Sequence, residues 1–316
     1  EATVDRISLE NHHLAKRALM IAIAGNHPLL LVGPPGSGKT LLAKSSQHLL
    51  PPLSFDEALE VACINSIQQE HQEQTFTYTR PFRSPHHHTS TAALIGGGSH
   101  IVPGEITLAH RGILFLDELP EFPQRSLEAL RQPLEAKEVH IARASGHVVF
   151  PANTQLICAM NPCPCGFFGD RERVCICEPK KVKRYQERIS GPLLDRIDLF
   201  VDLPRISSEE LLQEGRPHEE QAIPTNEILK NVRDAQQERL DQAAGSLTHY
   251  ETLAAPTKGA KHLFSKAIDR LQLSGRGYAR LLRVSRTIAD LAQSPNVEPE
   301  HVSEALSYRS RLIARN

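Results

Sequence analysis

No apolar run in this chain reaches the length needed to cross a bilayer. The longest near the start, Ile21–Val32, is broken by Gly25, Asn26, His27 and Pro28. The first residues carry no secretory pattern, so a cytoplasmic location with no membrane partner is expected. An excess of basic charge is also missing: 36 Lys and Arg face 37 Asp and Glu, for a net charge of −1. That balance lends no support to a nucleic-acid partner, yet does not exclude one, since a ring can gather its cations on pore loops. Six cysteines in 316 residues are too few for a disulfide scaffold, and four of them fall within fifteen residues. Reduced thiols are expected. There is no internal repeat, and the chain opens on Glu1 without a methionine, as a piece of something longer would. What is present is ordinary globular composition, 40% hydrophobic and 23% charged. The length suits a large α/β domain followed by a smaller one.

Residues 12–24 carry apolar positions at helical spacing and predict an amphipathic helix. Pro28–Val32 is a short, fully apolar strand of the kind buried on both faces of a parallel sheet. A helix follows from Leu41 to about Leu50. Further strands are expected at Ile113–Leu116, Thr154–Ala159 and Leu199–Leu203. Strands alternating with helices argue for a parallel α/β sheet. The stretch from Arg80 to Arg111 is rich in His, Ser, Thr, Gly and Pro, and predicts loops or a hairpin. Past Pro204 helix formers take over, with helices expected at 226–244, 261–273, 276–293 and 299–315. The expected division is therefore 1–204, an α/β domain, and 205–316, a helical linker and lid.

Gly33-Pro34-Pro35-Gly36-Ser37-Gly38-Lys39-Thr40 has the spacing of a P-loop and lies between a strand and a helix. Glycines let backbone N–H groups wrap phosphates, and the following helix, entered at Leu41, adds its positive end. Lys39 is positioned to reach the β- and γ-phosphates of ATP, and the Thr40 hydroxyl to bind Mg2+. The apolar strand at 113–116 ends in Asp117-Glu118. There Asp117 would hold Mg2+ through its water shell and Glu118 would polarise the attacking water. An apolar run ending in Asp-Glu is a weak signal alone and a strong one behind a P-loop.

GPPGSGKT, GILFLDELPEF (112–122), AMNPCPCG (159–166) and RISGPLLDRIDL (188–199) together resemble the magnesium-chelatase-like AAA+ proteins. The resemblance runs over essentially the whole chain; relatives carry an additional Lon-protease-like domain ahead of the ATPase region. It implies an AAA+ P-loop sheet domain with an all-α lid. By position, Asn161 matches a sensor that places the water or the γ-phosphate, against the plainer reading of a turn residue closing a strand. Arg196 matches an arginine finger reaching a neighbour's site, against a surface pair with Asp195 or Asp198. Arg276 matches the nucleotide-sensing arginine of the lid, with Arg280 and Arg283 on the same helix as alternatives. Asn and Arg cannot trade protons here, so both would act by position and charge.

The resemblance also implies two insertions that project into a central pore. One covers about 83–110; the other is a hairpin of Glu138–Ala144, a turn at Ser145-Gly146, and His147–Phe150. On it Lys137, Arg143 and His147 would touch a DNA backbone, unless the hairpin is merely a solvated one. His86-His87-His88 invites a metal, but on a strand alternate residues point to opposite faces, so a loop contact is expected instead. Cys163-Pro-Cys165 and Cys175-Ile-Cys177 are better placed. Two thiolate pairs nine residues apart suit a tetrahedral Zn2+ site, although C-x-C is tighter than the usual spacing. Free thiols or redox-labile pairs are the alternative. Cys63 and Cys158 are expected to be ordinary buried residues.

The resemblance implies a homo-hexameric ATP-driven motor, a helicase moving single-stranded or branched DNA during homologous recombination in natural transformation. A chelatase-type or protein-remodelling ATPase that never grips DNA is the alternative.

Overall fold

The computed structural model describes residues 13–68, 76–98, 101–143, 146–170, 172–205 and 226–309. In chain order these form α1 (His13–Gly25), β1 (Leu29–Val32), α2 (Lys39–Leu49), α3 (Phe55–Gln68), β2 (Phe82–Arg83) and α4 (Thr91–Ile95). Next come β3 (Gly96–Gly97), β4 (Val102–Pro103), α5 (Glu105–Leu108), β5 (Ile113–Leu116), α6 (Gln124–Ala129) and α7 (Arg131–Ala136). β6 (Glu138–Arg143), β7 (Gly146–Pro151), β8 (Gln155–Met160), α8 (Pro179–Gln186), α9 (Gly191–Leu194) and β9 (Leu199–Asp202) complete the first part. Five helices follow: α10 (Asn226–Ala243), α11 (Leu247–Ala254), α12 (Lys258–Leu271), α13 (Gly275–Leu291) and α14 (Pro299–Ser307).

The main sheet has the order β2-β5-β8-β1-β9, and every pair in it is parallel. Its central strands LLLV, ILFL and QLICAM are buried along their whole length, as a sheet covered on both faces requires. Alternation assigns the faces. Leu29, Leu31, Ile113, Phe115, Ile157 and Ala159 pack with α1 and the C-terminal helices. Leu30, Leu114, Leu116, Leu156, Cys158 and Met160 pack under Ile106, Leu119, Phe122 and the β6–β7 hairpin.

The expected helix is present as α1, and the structure confines its amphipathic character to the first half. From Ala18 to Gly25 every residue is buried, because α1 lies between the sheet and helices α10 and α13. The first turns keep a polar side, with His13 exposed and Lys16 and Arg17 half-buried, while the second half, apolar all round, belongs in the core. Buried His27 fastens the same junction: its Nδ1 is 2.9 Å from Asp198 Oδ2 and its Nε2 2.9 Å from Thr287 Oγ1. The first insertion contains the short antiparallel pair β3–β4 between α4 and α5, and the second is the β6–β7 hairpin. The fold is thus α/β with a helical C-terminal part. Among the described residues no helix is long and apolar enough to cross a membrane.

Candidate active site

The carboxyl ends of β1, β5 and β8 deliver Gly33, Asp117 and Asn161 to one edge of the sheet. Register sets this: Val32 pairs with Met160, which puts Gly33 beside Asn161, and Leu116 pairs with Cys158, which puts Asp117 beside Ala159, two residues before Asn161. Open α/β sheets bind their ligands at that edge. In the loop, Gly36 and Gly38 hold φ of +79° and +81°, where a side chain is strained, and apart from the adjoining residues no described atom lies within 4 Å of where either Cβ would stand. Space over the loop is therefore open. Gly33 is required for a different reason, since its Cβ would fall 2.4 Å from Leu203 O. Pro34 and Ser37 are buried, whereas Pro35 and Thr40 are exposed.

Lys39 opens α2, two residues earlier than expected, with half-buried Leu41 in its first turn. Its Nζ donates to Gly33 O at 2.7 Å, Pro34 O at 2.8 Å and Asn161 Oδ1 at 3.2 Å. Burial pushes the Lys39 pKa down, against the opposing pull of Asp117 and Glu118. An ammonium at a helix N-terminus beside open glycines fits a polyphosphate. Thr40 Oγ1 donates to Asp117 Oδ2 at 2.7 Å, and Asp117 Oδ1 accepts from the Glu118 N–H at 2.9 Å. Two hard oxygen donors side by side fit Mg2+.

Glu118 sits at φ 51°, a left-handed conformation uncommon outside glycine. Its Oε2 lies 2.9 Å from His87 Nδ1. His87 belongs to a turn closed by Thr89 N donating to His86 O, not to a strand. The three rings accordingly stand 4.1–5.1 Å apart, with their nitrogens within 4.8 Å of one another. This corrects the alternating-face argument; the residue does make a loop contact, and its partner is Glu118.

Arg196 lies at the other end of the sheet. Just after it, Asp198 N and Leu199 N both donate to Pro28 O, at the amino end of β1. Four residues of β1 separate that end from the P-loop, about 13 Å of extended chain. Arg196 pairs with neither Asp195 nor Asp198; its guanidinium contacts Glu135, Arg131 O and Pro192 O. Arg276 reaches the same Glu135 from α13, at 3.8 Å. Arg280 takes Asp195 and Ile197 O. Both Arg196 and Arg276 therefore stand at the amino end of the sheet, and Lys39 at the carboxyl end.

A cleft of about 790 Å3 opens at this amino end, lined among others by Arg80, Lys137, Arg196, Arg233, Arg276 and Arg283. Burial lowers Arg233 to about 10, and Nε of Arg280 and of Arg283 are buried with no hydrogen-bond partner among the described residues. Lys137, at φ 59°, closes α7 at the base of the hairpin and faces this cleft. His147 is nearer the tip, 3.3 Å from His140 Nδ1. The side chain of Arg143 and residues 144–145 lie outside the described residues. Neither His87 nor Glu135 could be found from local sequence, since each meets its partner across at least thirty residues of chain.

Beyond Asn161, the loop to α8 gathers four sulfurs. Cys163, Cys165, Cys175 and Cys177 place every Sγ within 4.8 Å of the others. Cys165 is pulled down to about 6, first by the Phe167 backbone N–H. Cys158 is buried, as expected, but Cys63 is exposed on α3.

Comparison with known proteins accords with this geometry. Residues 5–211 match the family model of magnesium chelatase, subunit ChlI, and residues 220–309 match that of its C-terminal part. Competence protein ComM of Haemophilus influenzae is 44% identical over 98% of this chain and 61% of its own length. YifB of Escherichia coli, an uncharacterized protein, is 44% identical over 93% of this chain and 58% of its own. DNA replication licensing factor Mcm6 of Drosophila melanogaster is 26% identical over 68% of this chain and 26% of its own length. The chain thus spans about 60% of the length of its ComM and YifB relatives. Two adjoining family matches that cover nearly all of it, on a parallel sheet with a helical C-terminal part, place the chain in the magnesium-chelatase-like family of AAA+ proteins, beside ComM and YifB.

Proposed function

We propose that the chain is an ATP-hydrolysing ring motor that acts on single-stranded or branched DNA. The observation that carries it is the separation of Lys39, Thr40 and Asp117 from Arg196 and Arg276 by the length of β1. One chain cannot close both halves around one phosphate chain, so a neighbouring copy supplies the arginines. Copies related head to tail in this way close into a ring, a hexamer in this reading.

Within it, Lys39 and the loop amides bind the β- and γ-phosphates, and Thr40 and Asp117 hold Mg2+. The metal, when bound, neutralises charge on the phosphate oxygens. Glu118, held by His87, orients the attacking water, and Asn161 keeps Lys39 and the γ-phosphate in place. Arg196 and Arg276 of the neighbour meet the charge that develops in the transition state. The cysteine quartet is read as a structural Zn2+ site.

DNA comes from the relatives: one is named a competence protein and another a DNA replication licensing factor. His147 and Arg143 on the second hairpin are the candidate contacts, whereas Lys137 serves the cleft. The test is ATP turnover with and without single-stranded and branched DNA, at low and moderate salt. Stimulation that fades as salt rises supports phosphate-gripping loops. An assembled ring whose turnover ignores DNA would move the reading to a protein-remodelling ATPase.

A further inference from the structure

Between Asn161 and α8 lie seventeen residues, 162–178, and those of them that are described form no strand or helix. Loops of that length inside a compact domain need something to hold them. Apolar packing holds its first residues at most, for Cys163 is buried while Val174 and Ile176 are 88% and 87% exposed. What the loop does have is four converging sulfurs. Cys163 Sγ lies 3.4 Å from Cys165 Sγ and 3.7 Å from Cys175 Sγ, and Cys165 lies 3.6 Å from Cys175. These separations are far too long for S–S bonds. They match the edge of a ZnS4 tetrahedron, about 3.8 Å for Zn–S bonds of about 2.3 Å. Backbone N–H groups of Phe168 and Cys177 point at Cys163 Sγ and Cys175 Sγ, the hydrogen bonds that support metal-bound thiolates.

The same loop lies against the phosphate site. Gly166, at φ +87°, approaches Pro35 of the P-loop so closely that a Cβ would stand 2.4 Å from the proline ring. Asn161, two residues before Cys163, holds Lys39, and Gln186 of α8 donates to Pro162 O at 2.9 Å. Met160 O, at the head of the loop, accepts from Gly33 N at 3.1 Å.

We infer that Cys163, Cys165, Cys175 and Cys177 bind one Zn2+ per chain, and that this ion braces the P-loop, so that nucleotide affinity depends on the metal. The coupling rests on the structural-zinc reading given above and adds to it a control over the ATP site. Binding takes all four sulfurs as thiolates, releases to solvent the protons they still carry, and changes no oxidation state. Pinning Cys163 and Cys165 to Cys175 and Cys177 fixes Gly166 against Pro35 and Asn161 against Lys39; releasing the ion frees both contacts together.

Two measurements on the full 316-residue chain, purified under reducing conditions, test the two halves separately. Elemental analysis should give about one zinc per chain, and Co2+ exchanged into the site should show the visible bands of a tetrahedral tetrathiolate. Zinc near zero, or a cobalt spectrum without thiolate bands, overturns the site itself. The second measurement is binding of a fluorescent ATP analogue before and after the zinc is stripped with a thiol-specific mercurial and a chelator, then after Zn2+ is restored. Affinity should fall by roughly tenfold and return with the metal. Cys175→Ser with Cys177→Ser should reproduce the loss, while Cys63→Ser should leave binding unchanged. A full complement of zinc whose removal leaves both affinity and far-ultraviolet dichroism unaltered overturns the brace and keeps the site.

Discussion

His87 Nδ1 stands 2.9 Å from Oε2 of Glu118, the residue that follows Asp117 at the end of β5. The contact spans thirty-one positions and reaches a carboxylate whose own backbone is in the left-handed region. A side chain displaced into that conformation needs outside support to keep a fixed direction. His87→Ala is therefore expected to lower kcat by roughly ten- to a hundredfold, the worth of one hydrogen bond to a charged group, with nucleotide affinity nearly unchanged. His87→Asn, which can still donate, should recover part of the loss. Steady-state kinetics beside an ATP-analogue titration separate these effects.

Lys39 and Glu118 should fail in different ways. Lys39→Ala removes a cation from the phosphates and should weaken nucleotide binding and turnover together. Glu118→Gln keeps the shape and the Lys39 contacts, so binding should persist while turnover falls by about a hundredfold or more. Both should retain the wild-type circular dichroism. Normal hydrolysis by either variant contradicts the site assignment.

The junction between the sheet and the C-terminal helices predicts an acid transition. Burial pushes the Asp198 carboxyl up, but the His27 hydrogen bond and the charges of Arg283 and Arg280 outweigh it, holding the pKa below the usual range. A depressed carboxylate contributes stability above its unfolded pKa and loses it as pH falls through the folded one. Thermal stability should thus fall below about pH 4 in part through Asp198. Asp198→Asn should cost about 2–3 kcal/mol at neutral pH and flatten that acid limb. Melting curves across pH read both effects.

The sequence exposed what is local and hid what is assembled. Fully apolar runs gave β1 and β5 to within a residue, because a strand buried on both faces leaves no polar positions, and the largely apolar runs of β8 and β9 were legible to the same precision although β8 opens on Gln155 and edge strand β9 ends on exposed Asp202. The two-residue edge strand β2 carries no period to detect, and helices α3 and α11 lie outside the stretches expected to be helical. The P-loop chemistry was legible because eight adjacent residues make it. The position of Arg276 was not: its spacing in α13 says nothing of which end of the sheet that helix covers, and the structure sets it on Glu135 beside Arg196. Lys137 was placed on the hairpin by proximity in sequence, while its left-handed backbone turns it to the basic cleft.

The claim on which the rest depends is that one catalytic site is made by two chains, and mixing two inactive variants tests it most directly. Arg196→Ala should bind ATP without hydrolysing it, and Glu118→Gln should do the same. Mixed in equal amounts, they should recover up to roughly a quarter of wild-type turnover, the share of interfaces that pair an intact Glu118 with an intact Arg196. Turnover that stays at the level of the separate variants, in mixed rings shown to have exchanged subunits, would contradict a site shared between neighbours.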